Sequence, residues 1–590
     1  MRKLFLSTLL FCSLILPTYS VEERRVVSVA ISNQDFSVYS HTEQEFYSST
    51  PILLTDMSSN KSITINSKDI LKITFENGLL QAKSGITNKI EDSAGPFVLT
   101  SNSPIAIKNL KRKGKQAEYL GQFEIKISTK GTGFNVINVL DMESYLRGVV
   151  PNEMPPYFSF EALKAQAVAA RNYANKEGRM NPNYDVCDSV ASQVYFGVGT
   201  HNPTTDKAVN ETKSIYALYE KKPILTLYHS TAGGITESYD NTFLVNNETF
   251  TPKEKYPYLV SVGEKLRSEK DVKEFYTSKP ETPDVDSPKY RWEYEWEEEE
   301  LVSVLNKYMP NQSAKKLIEP SFPEDEIIEK IEDIKILRYG DSGKALVMLI
   351  KTDIGDFKVK GQSAIRLLLR KNDKALPSSN FYIEKITKKV SIKKLEKEKE
   401  QEKLKTTAQD LTNQENTAET TPQETTATSE ITEVHFEKTG KLFGKGKCKK
   451  VSFKVYGGGF GHGVGMSQYG ANYLAKKGKT FDEILKHYYT GIKIGSIPQI
   501  VEENKEASLD FYWNKNEKVL FKFDNTKKLS LFAFTINNFL FNPDMSQYHS
   551  KILWFDITKY LTEGDNKIII QPLDKSDYSK KPTFWIEIEE

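Results

Sequence analysis

Glu143-Ser144-Tyr145-Leu146-Arg147-Gly148-Val149-Val150-Pro151-Asn152-Glu153-Met154-Pro155, followed closely by Glu161-Ala162-Leu163-Lys164-Ala165-Gln166-Ala167-Val168-Ala169-Ala170-Arg171-Asn172-Tyr173, marks the point where the chain changes character. Met142 to Val150 and Phe160 to Lys176 take helical spacing, the second stretch rich in alanine, with Ser159 placed to cap it and Gly178 to end it. On that second helix Lys164 and Arg171 share one stripe, two turns apart, and Gln166 and Tyr173 share another. Such stripes either hold a ligand or form a solvated face with alanine packed inward. Glu153 is different, because Pro151 on one side and Met154-Pro155 on the other stiffen its backbone. Beside Met154, Val149 and Val150 its carboxyl can be desolvated, which raises a pKa toward the value a general acid needs near neutral pH.

Upstream, β-branched residues alternate with polar ones over short spans, so Val26 to Ile31 and Ser62 to Phe75 read as strands in a β-rich segment covering 21–140. It ends in Phe123 to Ile127 and Val136 to Leu140 around a Gly131-Thr132-Gly133 turn. Downstream, strands are expected at Pro223 to Tyr228 and Ile334 to Leu337, and a helix at Ser363 to Leu369. Residues 388–433 are a Lys/Glu run followed by a Thr, Gln, Glu and Ala tract, too polar to fold alone, and read as a linker or insertion. Order returns at Val451 with a strand, six glycines between Gly457 and Gly465, and two short helices. Ser467 and Gly478 bracket the first of these, and Thr480 to Glu483 gives the second a capping box. The tail, 505–590, has the spacing of a small β-sandwich, and its Phe555 to Asn566 stretch resembles the last strands of sugar-binding jelly rolls. A purely structural accessory domain fits the tail equally well.

At 590 residues the chain exceeds one ordinary core, and the expected fold class is multidomain α+β. A net charge of +2 with 27% charged residues gives no general attraction for nucleic acid, and no phosphate-binding role gains support. Arg2 and Lys3 before an apolar run from Leu4 to Leu16, with Thr18-Tyr19-Ser20 as a cleavage tripeptide, read as a secretory signal at 1–20. The rival reading is an uncleaved anchor, for which the run is short, since a span needs about 20 apolar residues. Export to the periplasm, cell wall or outside is expected, with no membrane span after cleavage. Cys12 lies inside the signal, leaving Cys187 and Cys448 as free thiols or one bridge.

The stretch from Glu143 to Tyr173 closely resembles the signature of the stage II sporulation protein D and amidase-enhancer family. Further blocks agree in order: Ser192 to Tyr195, Tyr228 to Gly234, Leu376 to Phe381, and Gly459 to Ala471 with Leu485 to Tyr489. The resemblance covers about residues 140–495, so 141–387 and 434–497 are expected to form a mixed α/β glycan-binding core. It implies a secreted lytic transglycosylase acting on peptidoglycan glycan strands, or a non-catalytic wall-binding enhancer of a separate amidase. In the enzyme reading Glu153 protonates the glycosidic oxygen and then, as carboxylate, takes the proton of the muramic acid 6-hydroxyl as that oxygen attacks C1. The product is a 1,6-anhydromuramic end, and no second carboxylate is needed, unlike the paired-carboxylate hydrolases.

The same resemblance implies that Lys164, Gln166, Arg171, Tyr173, Gln193 and Tyr195 contact substrate or orient Glu153. His229, Ser230, His462 and Gln468 join them as expected glycan contacts. For the histidines, sugar contact, structural hydrogen bonding and a metal or nucleophilic role remain open readings. Some relatives carry a Cys-x4-Cys pair; here Cys187 is present but Ser192 stands at the second position, so no metal and no cofactor are expected.

Overall fold

The computed structural model describes residues 26–391 and 447–589, except 87, 176–178, 246–248, 251–254, 503–504, 516, 525–531, 542–551 and 574–580. The expected signal peptide with Cys12, the helix-ending Gly178 and the linker from 392 onward lie outside the described residues. The chain is α+β, strand-rich and built on several sheets. It divides into two compact units, one of residues 1–230, 256–262 and 464–590, the other of 231–255 and 263–463.

In the first unit the alternating N-terminal sequence forms two sheets. One has seven strands in the order Val186–Cys187, Val26–Ile31, Phe134–Asp141, Gln122–Ile127, Phe97–Thr100, Ile52–Asp56 and Lys61–Ile65. The other has six: Lys115–Tyr119, Ile105–Arg112, Glu43–Ser48, Leu71–Glu76, Leu79–Ser84 and Asn88–Ser93. The stretch Ser62 to Phe75 thus supplies strands to both sheets, because Asn66 to Asp69 turns the chain: the Asp69 amide donates to the Asn66 carbonyl at 3.1 Å, and Lys68 sits at φ +68°.

Helices α1 (Met142–Glu153) and α2 (Phe160–Ala174) follow directly. The Asp141 side chain caps α1 by accepting from the Ser144 amide at 3.0 Å. Proline has no N–H to give the Arg147 carbonyl, yet α1 runs through Pro151 to Glu153, three residues beyond the expected end. The Asn152 side-chain amide donates to the Gly148 carbonyl at 2.6 Å within that last turn. Phe46, Phe97, Phe123 and Phe134 from the sheets, Tyr145, Leu146 and Val149 from α1, and Ala167 and Ala170 from α2 form one buried cluster. A single core therefore continues across residue 141, where the composition of the sequence changes.

The tail is tied to the same unit by hydrogen bonds. Thr583–Glu589, Lys518–Asp524 and Ile552–Asp556 extend a sheet begun by Lys222–Pro223, Tyr216–Tyr219 and Lys493–Gly495. A second tail sheet joins Ala507–Trp513, Gly564–Pro572, Phe532–Ile536 and Phe539–Phe541. Of the strand expected at Pro223 to Tyr228, only its two ends pair, and Tyr228–His229 runs parallel to Met466–Ser467. The two helices after the glycine-dense stretch are Gln468–Lys476, capped by the Ser467 hydroxyl, and Phe481–Tyr488, which carries the expected capping box.

The second unit has its own core around Trp296, Leu301, Leu305, Met348 and Phe453. Strand Lys447–Gly457 lies between Trp292–Glu297 and Phe381–Ser391. Phe381–Ser391 and Lys447–Gly457 pair antiparallel along their whole length, from Phe381 with Gly457 to Ser391 with Lys447. The expected strand at Ile334 to Leu337 lies within Ile331–Tyr339, and the expected helix becomes Gln362–Leu368.

Candidate active site

Glu153 is the last residue of α1, where the helix leaves its carbonyls unpaired and disfavours a carboxylate. Its Oε1 accepts a 2.6 Å bond from the Val194 amide, and the Tyr228 hydroxyl donates to the carboxyl as well. Burial outweighs both bonds and pushes the pKa from 4.5 up to about 7, although the side chain keeps some exposure. Glu153 therefore combines access with a proton held near neutrality.

A chain of hydrogen bonds stands behind it. The Tyr145 hydroxyl donates to Gln193 Oε1 at 3.1 Å, and Gln193 Nε2 donates to the Tyr228 oxygen at 3.0 Å and to the Ala170 carbonyl at 3.3 Å. Burial raises the pKa of both Tyr145 and Tyr228 well above the usual phenol value, so they remain donors. Tyr145, Val149 and Glu153 fall at i, i+4 and i+8 of α1 and share a stripe, a signal the sequence carried. Tyr228 and the Val194 amide carried no such signal, although both lie inside the quoted blocks.

The loop that presents Val194 is fixed from several sides. Asp188 pairs with Arg112 at 2.8 Å, both buried, and its carbonyl accepts from the Tyr195 amide at 3.3 Å. One edge of the Tyr195 ring packs on α1 at Gly148, where a Cβ would come within 2.5 Å of it. The Tyr195 hydroxyl donates to Asn138 Oδ1 at 2.7 Å. Glycine is thus required at 148 by close approach, not by backbone angle.

With this geometry in view, comparison with known proteins adds an identity. Residues 130–219 match the family described as stage II sporulation protein. The chain carries a stage II sporulation protein domain at residues 130–219 and is similar well beyond it to proteins of that family. It is 26% identical to the stage II sporulation protein D of Bacillus subtilis over 65% of this chain and 83% of that protein. The amidase enhancer of Bacillus subtilis is 28% identical over 60% of this chain, which spans only 40% of that longer protein. An uncharacterised protein of Brachyspira hyodysenteriae is 28% identical over 64% of this chain and 72% of its own length. Residues 245–398, all but 256–262 of them in the second unit, match a family described only as a domain of unknown function.

The signature residues of the family occupy distinct settings. Tyr173 lies 6.5 Å from the Tyr228 ring, centroid to centroid, and Gln193 and Tyr195 flank Val194. Arg171 is fully buried, bonded to both Glu143 oxygens at 3.0 and 2.6 Å and to the carbonyls of Val209 and Ile215. Lys164 is only 1% exposed and faces Glu161 at 3.1 Å, Glu517 of the tail at 3.8 Å and the Phe481 ring. Gln166 accepts from Gln468 at 3.3 Å, and both are buried. His229 Nδ1 lies 3.2 Å from the Val464 carbonyl, and the Ser230 carbonyl accepts from the Tyr469 amide at 3.1 Å. His462 belongs to the second unit, with its ring 5.8 Å from that of Phe243.

Cys187 is a buried free thiol 3.5 Å from the Ser192 hydroxyl. Among the described residues, no three His, Cys, Asp or Glu side chains converge as a metal site. No helix among them is long and apolar enough to cross a membrane.

Proposed function

We propose that this chain acts on peptidoglycan glycan strands as a lytic transglycosylase, with Glu153 as its single acid and base. The observation that carries the reading is the Glu153 carboxyl itself, partly open to solvent and pushed up to about 7 by burial. The names of the relatives, a sporulation protein and an amidase enhancer, support a role at the cell wall. Export to the wall follows from the same reading.

Protonated Glu153 gives its proton to the bridging glycosidic oxygen as the C1–O bond breaks. The resulting carboxylate then accepts the proton of the 6-hydroxyl while that oxygen bonds to C1, so the proton count closes without water. The Tyr228 and Val194 donors steady the carboxylate between the two steps, and Gln193 aims the Tyr228 oxygen. Both donors oppose the effect of burial, which keeps the pKa near 7 and allows both directions of transfer at neutral pH.

The test is mass spectrometry of peptide-bearing and peptide-stripped glycan after incubation with the protein and with Glu153→Gln. Anhydromuramic ends that vanish in the variant are expected. Binding of either glycan without cleavage would replace this reading by the wall-binding enhancer, whose relative already carries that name.

A further inference from the structure

Three residues beyond Glu153 the chain turns, and Tyr157 stands 82% exposed. Pro155 and Pro156 stiffen the approach, and the Phe158 amide donates to the Pro155 carbonyl at 3.0 Å, closing the turn. The Ser159 amide then donates to Asn472 Oδ1 at 2.8 Å, fastening the turn to the helix Gln468–Lys476. Phe158, only 5% exposed, is the keystone: its ring packs at 5.4 Å against Tyr157 and at 5.1 Å against Tyr469, edge to face in both cases. Two phenol rings are therefore held by one buried ring, on backbone that cannot easily give way.

We propose that Tyr157, supported by Phe158 and Tyr469, is a stacking subsite for a sugar ring of the glycan strand that Glu153 cleaves. The proposal rests on the glycan-strand reading and assigns that substrate a contact outside the signature residues. A pyranose presents a face of C–H groups, and the electron-rich face of an aromatic ring attracts such partially positive hydrogens. Tyrosine offers that face with only two side-chain torsions to fix, so little ordering is lost on binding. Four residues of chain put the Tyr157 Cα within about 14 Å of that of Glu153, and the turn shortens the distance further. A long linear strand engaged at Glu153 extends several sugars to each side, a length that spans the distance to Tyr157.

The test compares binding of peptide-stripped glycan strands to the full chain carrying Glu153→Gln, alone and combined with Tyr157→Ala or Tyr157→Phe. Cleavage is thereby removed from the readout. Tyr157→Ala is expected to weaken binding about tenfold, while Tyr157→Phe, which keeps the ring face, binds like its parent. Equal affinity for the alanine variant overturns the subsite and leaves the glycan reading standing, even if that variant loses binding to another protein. A phenylalanine variant as weak as alanine overturns it too, since the ring face is then not what binds. If the Glu153→Gln parent itself fails to bind, the glycan reading falls and the subsite falls with it. Tyr157 is so exposed that its truncation leaves the core intact, and unchanged unfolding curves verify this.

Discussion

Replacing Glu153 by glutamine should stabilise the protein above neutral pH and leave it unchanged in acid. The carboxyl titrates near 4.5 when the chain is unfolded and at about 7 in the native site. Below 4.5 both states hold the proton, and the group contributes nothing to pH dependence. Between 4.5 and 7 the unfolded chain releases the proton while the native protein keeps it, so native stability falls as pH rises, by up to about 1.4 kcal/mol per unit. Above 7 the full deficit is present, about 2–3 kcal/mol once some relief by solvent at this partly exposed group is allowed. Glutamine keeps an oxygen for the Val194 amide and carries no charge, so it avoids the deficit. Urea unfolding of both proteins from pH 4 to 9 measures it: the curves should coincide at pH 4 and separate up to pH 8, with the variant more stable. Glu517, also raised to about 7 by burial, shifts both proteins alike and cancels in the difference. Identical stabilities at every pH would mean that the carboxyl is not desolvated, and the case for Glu153 as an acid at neutral pH would collapse.

Tyr228→Phe removes the donor to Glu153 and leaves Gln193 Nε2 without its 3.0 Å acceptor. The Glu153 pKa should move further up, the pH profile of glycan cleavage should follow it upward, and the rate at neutral pH should fall about tenfold; an unmoved profile refutes the link. Arg171→Lys keeps a charge but cannot make the paired bonds to Glu143, so urea unfolding should register a loss of about 3 kcal/mol. If glycan affinity per folded molecule also drops strongly in that variant, Arg171 touches substrate after all. Gly148→Ala drives a methyl to within 2.5 Å of the Tyr195 ring and should cost about 1–3 kcal/mol in thermal unfolding.

What the sequence made legible, and what it did not, follows from how far apart the partners lie. Glu153 stood out because its surroundings are local: two prolines and three apolar neighbours within four positions. Capping residues Ser467 and Thr480 were readable for the same reason. The polar stripes of α2 were ambiguous because their meaning depends on distant segments. Arg171 finds its partners at 143, 209 and 215, and Lys164 finds Glu517 more than 350 residues away. Helical spacing places both cations on one stripe, but it cannot tell a stripe facing ligand from one buried against other parts of the chain. Tyr228 was hidden similarly, since only the tertiary fold brings it to α1.

These buried partners bear on the choice between cleavage and enhancement. Lys164, Gln166 and Arg171 are all essentially buried, and the two cations meet Glu161, Glu517 and Glu143 within the chain, where an unpaired buried charge would cost several kcal/mol. Much of the signature thus serves a frame that an enzyme and a wall-binding protein need equally. Glu153 is the exception. Its donors do not offset burial, which holds its pKa at about 7, and greater stability of the glutamine variant at pH 8 is the expected consequence. A carboxyl held at a net loss of stability, open enough to meet a ligand and furnished with two donors for its charged form, is what proton transfer requires and what binding alone does not. That asymmetry between Glu153 and the rest of the signature is what the proposed catalysis rests on.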